Sequence, residues 1–371
     1  MAYLNGKKVL FSPHVHVVSG GSGATEEELE AAREEGRQAE WNAFWDSFQQ
    51  NGTRTTYENA FSGKGWDDNN FKPKYDIICS GDYGCSGTFR QSLITDLKGI
   101  LEKQKVELNT RTATKFTNTF AQSDITRIPT LHLDSCTTIS TAFSTNTITE
   151  VEIHNLQENC TFTNPFNGAS KLSSLILENC TIGQNNFNLK SCSKLSKKSI
   201  ESVINALSEN REHLETIGTP VVTLSKTAVQ NAFTIKDDVL SLPYSNYATG
   251  LDGITVTDNG DGSLTVNGTT NTGGGFYYLK QQSEFELPKG TYKVELDGDT
   301  TNSIIFALEC DDSSFQNNGD WAYTNGENAR AFLVFEPGVN YNNVTIRPKI
   351  LCDEWESLTH IKNLYWTISL V

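Results

Sequence analysis

His14 and His16 stand one residue apart, so on an extended strand, where side chains alternate, both imidazoles would point to one face. Three such pairs in a trimer could surround a six-coordinate metal ion, which makes His14 and His16 the candidate metal ligands. The acidic stretch "DNGDGS" at 258–263 resembles half of a calcium loop but lacks that motif's terminal Glu; a tight hairpin turn accounts for it more simply. Glycoside hydrolysis requires two carboxylates across a cleft, and no spacing of Asp and Glu here selects a pair. Cys85 and Ser86 lie among glycines in "GDYGCSG" with no patterned His to activate either as a nucleophile. No residue is therefore assigned a catalytic role, no cofactor is expected, and the chain reads as a protein that is not an enzyme.

What remains is recognition by contact. Sugars lay their apolar faces on aromatic rings, and residues 276–341 concentrate Phe276, Tyr277, Tyr278, Trp321, Tyr323 and Tyr341 near glycine-rich loops. Along "FYYL" the side chains alternate in and out, so about half of this set belongs to a core. Phe276, Tyr278, Trp321 and Tyr323 are the candidate ligand-binding residues, and Trp321 and Tyr323, in the loop-like "NNGDWAYTNGE", are the ones expected to be most exposed.

The chain that must hold these residues has 371 of them, 30 basic and 45 acidic, for a net charge of −15. No Lys/Arg-rich block occurs, which argues against nucleic acid and against anionic membrane surfaces as partners. A hydrophobic share of 37% with 10% aromatics fits a globular protein with much polar surface, and the length leaves room for two or three domains. The segment "MAYLNGKKVLFSPHVHVV" has no apolar run of signal-peptide length, and no stretch reaches the ~20 apolar residues of a membrane span. The expectation is a soluble protein made in a cytoplasm, with no membrane insertion. The eight cysteines are too dilute for a disulfide scaffold and read as reduced, mostly buried thiols without a zinc site.

Residues 7–18 suggest a short strand and 19–23, "SGGSG", a flexible joint. Thr25 and Glu28 form a capping box for a helix over 26–50, stopped by Asn51-Gly52. Trp41, Phe44, Trp45 and Phe48 recur at i, i+3, i+4, i+7 on its second half. This stripe packs either on its own domain or on the helices of other subunits, so the four are candidate oligomerisation residues. Residues 53–88 read as an irregular connection pinned by aromatics, and 89–104 as a second helix.

"IPTLHLDSC", "ITEVEIHNL" and "LSSLILENC" share one template. Ile128, Leu131, Leu133 and Cys136, then Ile148, Val151, Ile153 and Leu156, then Leu172, Leu175, Leu177 and Cys180 fall at offsets 0, 3, 5 and 8, with units 20 and 24 residues apart. That is the pattern of leucine-rich repeats, in which each unit gives a strand and a return and neighbours bury a shared core. Phe120, Phe143 and Phe166 in the returns would fill the back of the stack. A helix over 194–210, a strand over 219–225 and a helix capped by Ser225 follow. Beyond them the pattern turns all-β: "ITVTDNGDGSLTVNG" is a hairpin, and four further stretches up to "VTIRPKIL" alternate as strands, as in a β-sandwich or jelly roll. The last residues return to a helix capped by Asp353 and a strand, "WTISLV", similar to "PVVTLS". The β-module thus reads as an insertion in the last unit of the ladder.

The expected fold is α+β and multidomain. Residues 1–52 form an N-terminal strand plus helix for anchoring or oligomerisation, 53–104 a connection and helix capping the ladder, and 105–242 the irregular leucine-rich-repeat solenoid. Residues 243–351 form the inserted jelly roll and 352–371 the last helix and strand of the ladder.

"YLNGKKVLFS", "EWNAFWDSFQQNGTRTTYENAFSGKGWDDNNFKPKYDI", "LSKKSIESVINALS", "VTLSKTAVQNAF" and "WTISLV" resemble phage and prophage structural proteins of gut Firmicutes, whose middle part is a leucine-rich repeat of the bacterial surface-antigen type. The insert, from "GITVTDNGDGSLTVNGT" to "NVTIRPKIL", resembles the carbohydrate-binding-like jelly rolls of phage tail and baseplate proteins. The resemblance covers nearly the whole chain and brings no catalytic residues with it. It implies a virion component assembled in the cytoplasm of the bacterial host, a tail, baseplate or fibre-type appendage that displays a module for host adhesion. The expected partners are other virion proteins, further copies in a homo-oligomer with a trimer favoured, and a host-surface glycan or protein. The alternative is a structural decoration or spacer that contacts other virion proteins. A cell-wall-degrading enzyme is the third reading, and it predicts release of sugars or peptides from host envelopes.

Overall fold

Segments with an apolar residue at every second position, separated by returns of similar length, bury themselves by stacking side by side. In the computed structural model of the protein this stacking starts at Ile77–Gly81, which pairs in parallel with Leu108–Ala113. Residues 2–4, 7–9, 26–237, 239–240, 242–245, 247–270, 275–281, 285–298, 303–311, 313–317 and 319–371 are described. The structure mixes helix and strand, with strand dominant. It divides into one unit formed by Met1–Ala232 with Tyr365–Val371 and another formed by Phe233–Leu364. Among the described residues no helix is long and apolar enough to cross a membrane.

In the first unit, Leu131–His132, Glu150–His154 and Ser174–Glu178 form one parallel sheet, and Lys115–Thr117, Thr138–Ser140 and Thr161–Thr163 form a second. Between the sheets the chain must turn, and Asn118, Thr141 and Asn164 take left-handed backbone (φ 53°, 48° and 46°) directly after the three strands of the second sheet. Asn tolerates this conformation; Thr141, β-branched, is held there with its hydroxyl donating to Asn118 Oδ1 at 2.6 Å. Inside, Phe61, Phe89, Phe120, Phe143 and Phe166 stack one on the next, with ring centroids 4.9–5.8 Å apart. Hydroxyls climb the same way outside: Thr126 Oγ1 donates to Thr95 O, Thr149 Oγ1 to Thr126 O, and Ser173 Oγ to Thr149 O.

The apolar residues of the repeat template are buried, but the register of the first unit is displaced by two. Leu131 faces Ile153 rather than Val151, and beyond the strand the offset grows to four, the Cys136 sulfur lying 4.0 Å from that of Cys160 where the template matches Cys136 with Leu156. A shift of two keeps the same side chains inward, so the hydrophobic pattern is blind to it. Parallel pairing also starts earlier than residue 105. Thr110, fully buried with its hydroxyl donating to His132 O at 2.7 Å, stands where the template asks for an apolar residue.

Helix α1 runs Glu26–Phe48 and gives way to a 3-10 turn, Gln50–Gly52, with Asn51 and Gly52 at φ 53° and 86°. The capping box at Thr25 and the joint at 19–23 lie outside the described residues, and of the strand expected over 7–18 only Lys7–Val9, paired with Ala2–Leu4, is described. The helix expected over 89–104 is shorter: α2 is Leu97–Gln104, started by the Asp96 carboxylate accepting from Gly99 N at 2.9 Å. The residues before it are claimed by the phenylalanine stack through Phe89. Helices α3 (Lys197–Ala206), capped by Ser196, α4 (Arg211–Ile217) and α5 (Lys226–Ala232) follow. Phe187–Leu189, Val221–Leu224 and Thr367–Leu370 then form a third parallel sheet, so the chain that leaves after Ala232 returns to the same unit.

One expectation about the cysteines is corrected: Cys79 and Cys85 form a disulfide, with Cα atoms 5.4 Å apart. Cys79 ends inside a strand, and the turn through Gly81 (φ 68°) folds Cys85 back onto it. Cys136, Cys160, Cys180, Cys192, Cys310 and Cys352 are free thiols.

The second unit holds two antiparallel sheets on one apolar core. One sheet has the order Ile254–Asp258, Leu264–Thr269, Asn340–Asp353, Gly290–Asp297, Ala322–Thr324. The other has the order Tyr247–Thr249, Phe276–Lys280, Glu327–Phe335, Ile304–Cys310, Ser314–Gln316. "DNGDGS" is the turn of the first hairpin, and its carboxylates are engaged locally, Asp261 accepting from Ser263 N and Oγ and Asp258 from Gly260 N. Ile235–Lys236 pairs with Cys352 and Asp353, which closes the unit where the chain enters and leaves. Helix α6 (Glu354–Thr359), capped by Asp353, belongs here and not to the first unit as 352–371 was expected to, because Ser357 Oγ accepts from Thr291 N at 2.7 Å and Trp355 packs on Phe233.

Candidate ligand-binding face

Phe276–Lys280 alternates as its sequence requires. Tyr277 and Leu279 are buried in the core, which leaves Phe276 and Tyr278 half-buried on the opposite face of the sheet. The next strands continue the rows in register: Tyr278 pairs with Phe332 and Phe332 with Ala307, while Phe276 pairs with Val334 and Val334 with Ile305. An outer sheet face is ordinarily polar. This one carries three aromatic rings, Val334 and Ile305, the last 38% exposed.

The rings form a cluster. Phe332 meets Phe276 edge-on at 5.3 Å and Tyr278 at 5.7 Å, and Phe276 and Tyr278 are 6.2 Å apart. Phe332 is 4% exposed although it points away from the core, with Phe276, Tyr278 and Arg330 packed around it. The Arg330 guanidinium lies 5.7 Å from the Phe332 centroid and donates through Nε to Glu309 Oε2 at 2.7 Å, its Nη2 sharing the same oxygen. The strip is therefore apolar and aromatic along its length, with a neutralised ion pair at one end. Such a surface can take the apolar face of a pyranose ring by stacking, with Arg330 and Glu309 offering hydrogen bonds to its hydroxyls.

The structure brings Phe276 and Tyr278 together and separates them from Tyr323, which belongs to the other sheet, and from Trp321, the residue before Tyr323's strand. The loop reading of 317–327 is corrected: Ala322–Thr324 is a strand paired with Gly290–Tyr292, because Tyr323 sits opposite Thr291 in register. One face of the Tyr323 ring is taken by His360, stacked at 3.5 Å and 6°. Trp321, half-buried, has the Lys293 ammonium 5.2 Å from its ring centroid, and Tyr341 is a core residue whose hydroxyl donates to Ser303 O at 2.8 Å. Phe332 and Arg330 were missed. "RAFLVF" alternates like "FYYL", with Arg330, Phe332 and Val334 of one parity, and the Arg marks that parity as outward.

Of the α1 stripe, Trp45 and Phe48 are 1% and 4% exposed, packed on Tyr57, Phe61, Trp66 and Phe71 of their own unit. They are corrected from oligomerisation residues to core, and Trp41 and Phe44 stay partly exposed. The helix end is fixed by Gln49, whose amide donates to Tyr75 O and accepts from Lys74 N and Tyr75 N, and by Asp46, which accepts from Lys74 Nζ and Tyr75 Oη. These bonds hold the Asp46 carboxyl below the usual carboxylate range, the Lys74 ammonium contributing most. His14 and His16 lie outside the described residues. Cys85 is closed off as a nucleophile by its disulfide. Compared with protein-family models, with curated proteins and with solved structures, the chain matches none.

Proposed function

We propose that the chain is a non-enzymatic structural protein of a phage virion, part of a tail, baseplate or fibre-type appendage, in which a leucine-rich-repeat solenoid carries an inserted jelly roll that binds a host-surface glycan. The observation that carries the reading is the outward cluster of Phe276, Tyr278 and Phe332 on a sheet whose inner face already supplies a complete core. The solenoid reading is supported by the parallel strands with their phenylalanine stack, and the jelly-roll reading by two antiparallel sheets on one core. A trimer formed through the α1 stripe would use Trp41 and Phe44, since Trp45 and Phe48 are taken up within the chain.

The test is binding of the full chain to an array of bacterial surface glycans beside the double variant Phe276→Ala/Tyr278→Ala. Two lost stacking contacts correspond to about 1–3 kcal/mol, so the variant should bind roughly 5- to 150-fold more weakly. No glycan bound by the wild type, or equal binding by the variant, overturns the glycan assignment and leaves the spacer reading, in which the same face contacts another virion protein.

A further inference from the structure

The exposed face of the first unit's parallel sheet carries a second cluster that the glycan reading does not use. Glu152 and His154 are two residues apart on Glu150–His154, so both project to one face, and Glu178 pairs in register with His154 from the adjacent strand. His154 Nε2 lies 2.7 Å from Glu152 Oε1 and 3.3 Å from Glu178 Oε2, and the three ligand atoms all lie within 4.8 Å of one another. A single Nε2–H can be donated well to only one carboxylate. Among the described residues neither Glu152 nor Glu178 is ion-paired with a Lys or Arg, so two carboxylates converge on one imidazole nitrogen without a compensating cation. On the other side, His132 is in register with His154, the ring centroids are 5.1 Å apart, and His132 Nδ1 is buried with no hydrogen-bond partner.

We propose that Glu152, His154 and Glu178 hold a divalent transition-metal ion of the zinc class. Donors about 2.0–2.2 Å from a tetrahedral zinc lie roughly 3.3 Å from one another, close to the separation of His154 Nε2 and Glu178 Oε2. The Glu152 contact, at 2.7 Å, opens by about 0.6 Å to admit the ion. One imidazole with two carboxylates suits zinc better than calcium, which takes all-oxygen sets, and the fourth position is left to water. On binding, the Nε2 lone pair goes to the metal, the ring proton resides on Nδ1, and any proton on Nε2 is released to solvent. The ion would tie two adjacent units of the stack together from outside, where the hydroxyl chain contributes only single bonds.

The experiment is calorimetric titration of the metal-free, full-length chain with zinc chloride at neutral pH, in a His14→Ala/His16→Ala background so that the N-terminal histidines contribute nothing. One equivalent should bind, and Glu178→Gln and His154→Ala should each weaken that equivalent at least tenfold. Thermal melting without metal, unchanged in the near-isosteric Glu178→Gln, separates a lost ligand from a lost fold. Absence of a stoichiometric equivalent, or its survival in both variants, overturns the site.

Discussion

The two units use aromatic residues in opposite ways. In the first, Phe89, Phe120, Phe143 and Phe166 are buried, and each ring is explained by the rings above and below it. In the second, Phe276 and Tyr278 stand on the side of the sheet that faces away from the core, outside the cluster of residues that fills it. A repeating scaffold accounts for its own large side chains. The unit that does not repeat carries a surplus, and a surplus of aromatic surface is where a ligand-binding reading gains physical content.

That contrast can be broken most directly at Phe143. Phe143→Ala removes a ring held between two others and should destabilise the first unit by about 3–5 kcal/mol, read as a lower denaturant midpoint. A cost under about 1 kcal/mol would mean that the stack is not the core it resembles. An intermediate effect is expected at Asp353, whose carboxylate accepts from Trp355 N and Glu356 N; Asp353→Ala should cost the second unit about 1 kcal/mol. The smallest effect is expected where function is proposed. Phe276→Ala and Tyr278→Ala should each change stability by less than about 1 kcal/mol, the range of an exposed cross-strand pair, while glycan binding falls. A large loss of stability there would return the cluster to the structural side of the comparison.

The sequence made the inward rows legible and left the register hidden, for one reason. Period-two alternation marks which residues are buried, as at Leu131, Ile153 and Leu175, yet a displacement of two residues leaves the same alternation. The earlier pair of strands, Ile77–Gly81 and Leu108–Ala113, escaped notice because Cys79, paired with Cys85, in the one and the polar Thr110 in the other occupy positions where leucine would have signalled a unit. The candidate face was half visible: Phe276 and Tyr278 follow from alternation along one strand, whereas Phe332 needed the pairing of a strand more than 50 residues away. Glycine and asparagine around Trp321 suggested a loop, but backbone pairing with Gly290–Tyr292 outweighed that local preference.

The return of the chain to Val221–Leu224 sets an order of events during synthesis. Residues 233–364 are synthesised before Thr367–Leu370, so Val221–Leu224 waits for its partner strand while the whole second unit is being made. Until Thr367 to Leu370 arrive, the backbone groups of Val221–Leu224 that they will pair with face an empty place. The nascent molecule is thus open to a wrong strand for as long as it takes to translate its guest. A ribosome pausing within the insert would lengthen that exposure, and the arrival of Thr367–Leu370 is the step that ends it.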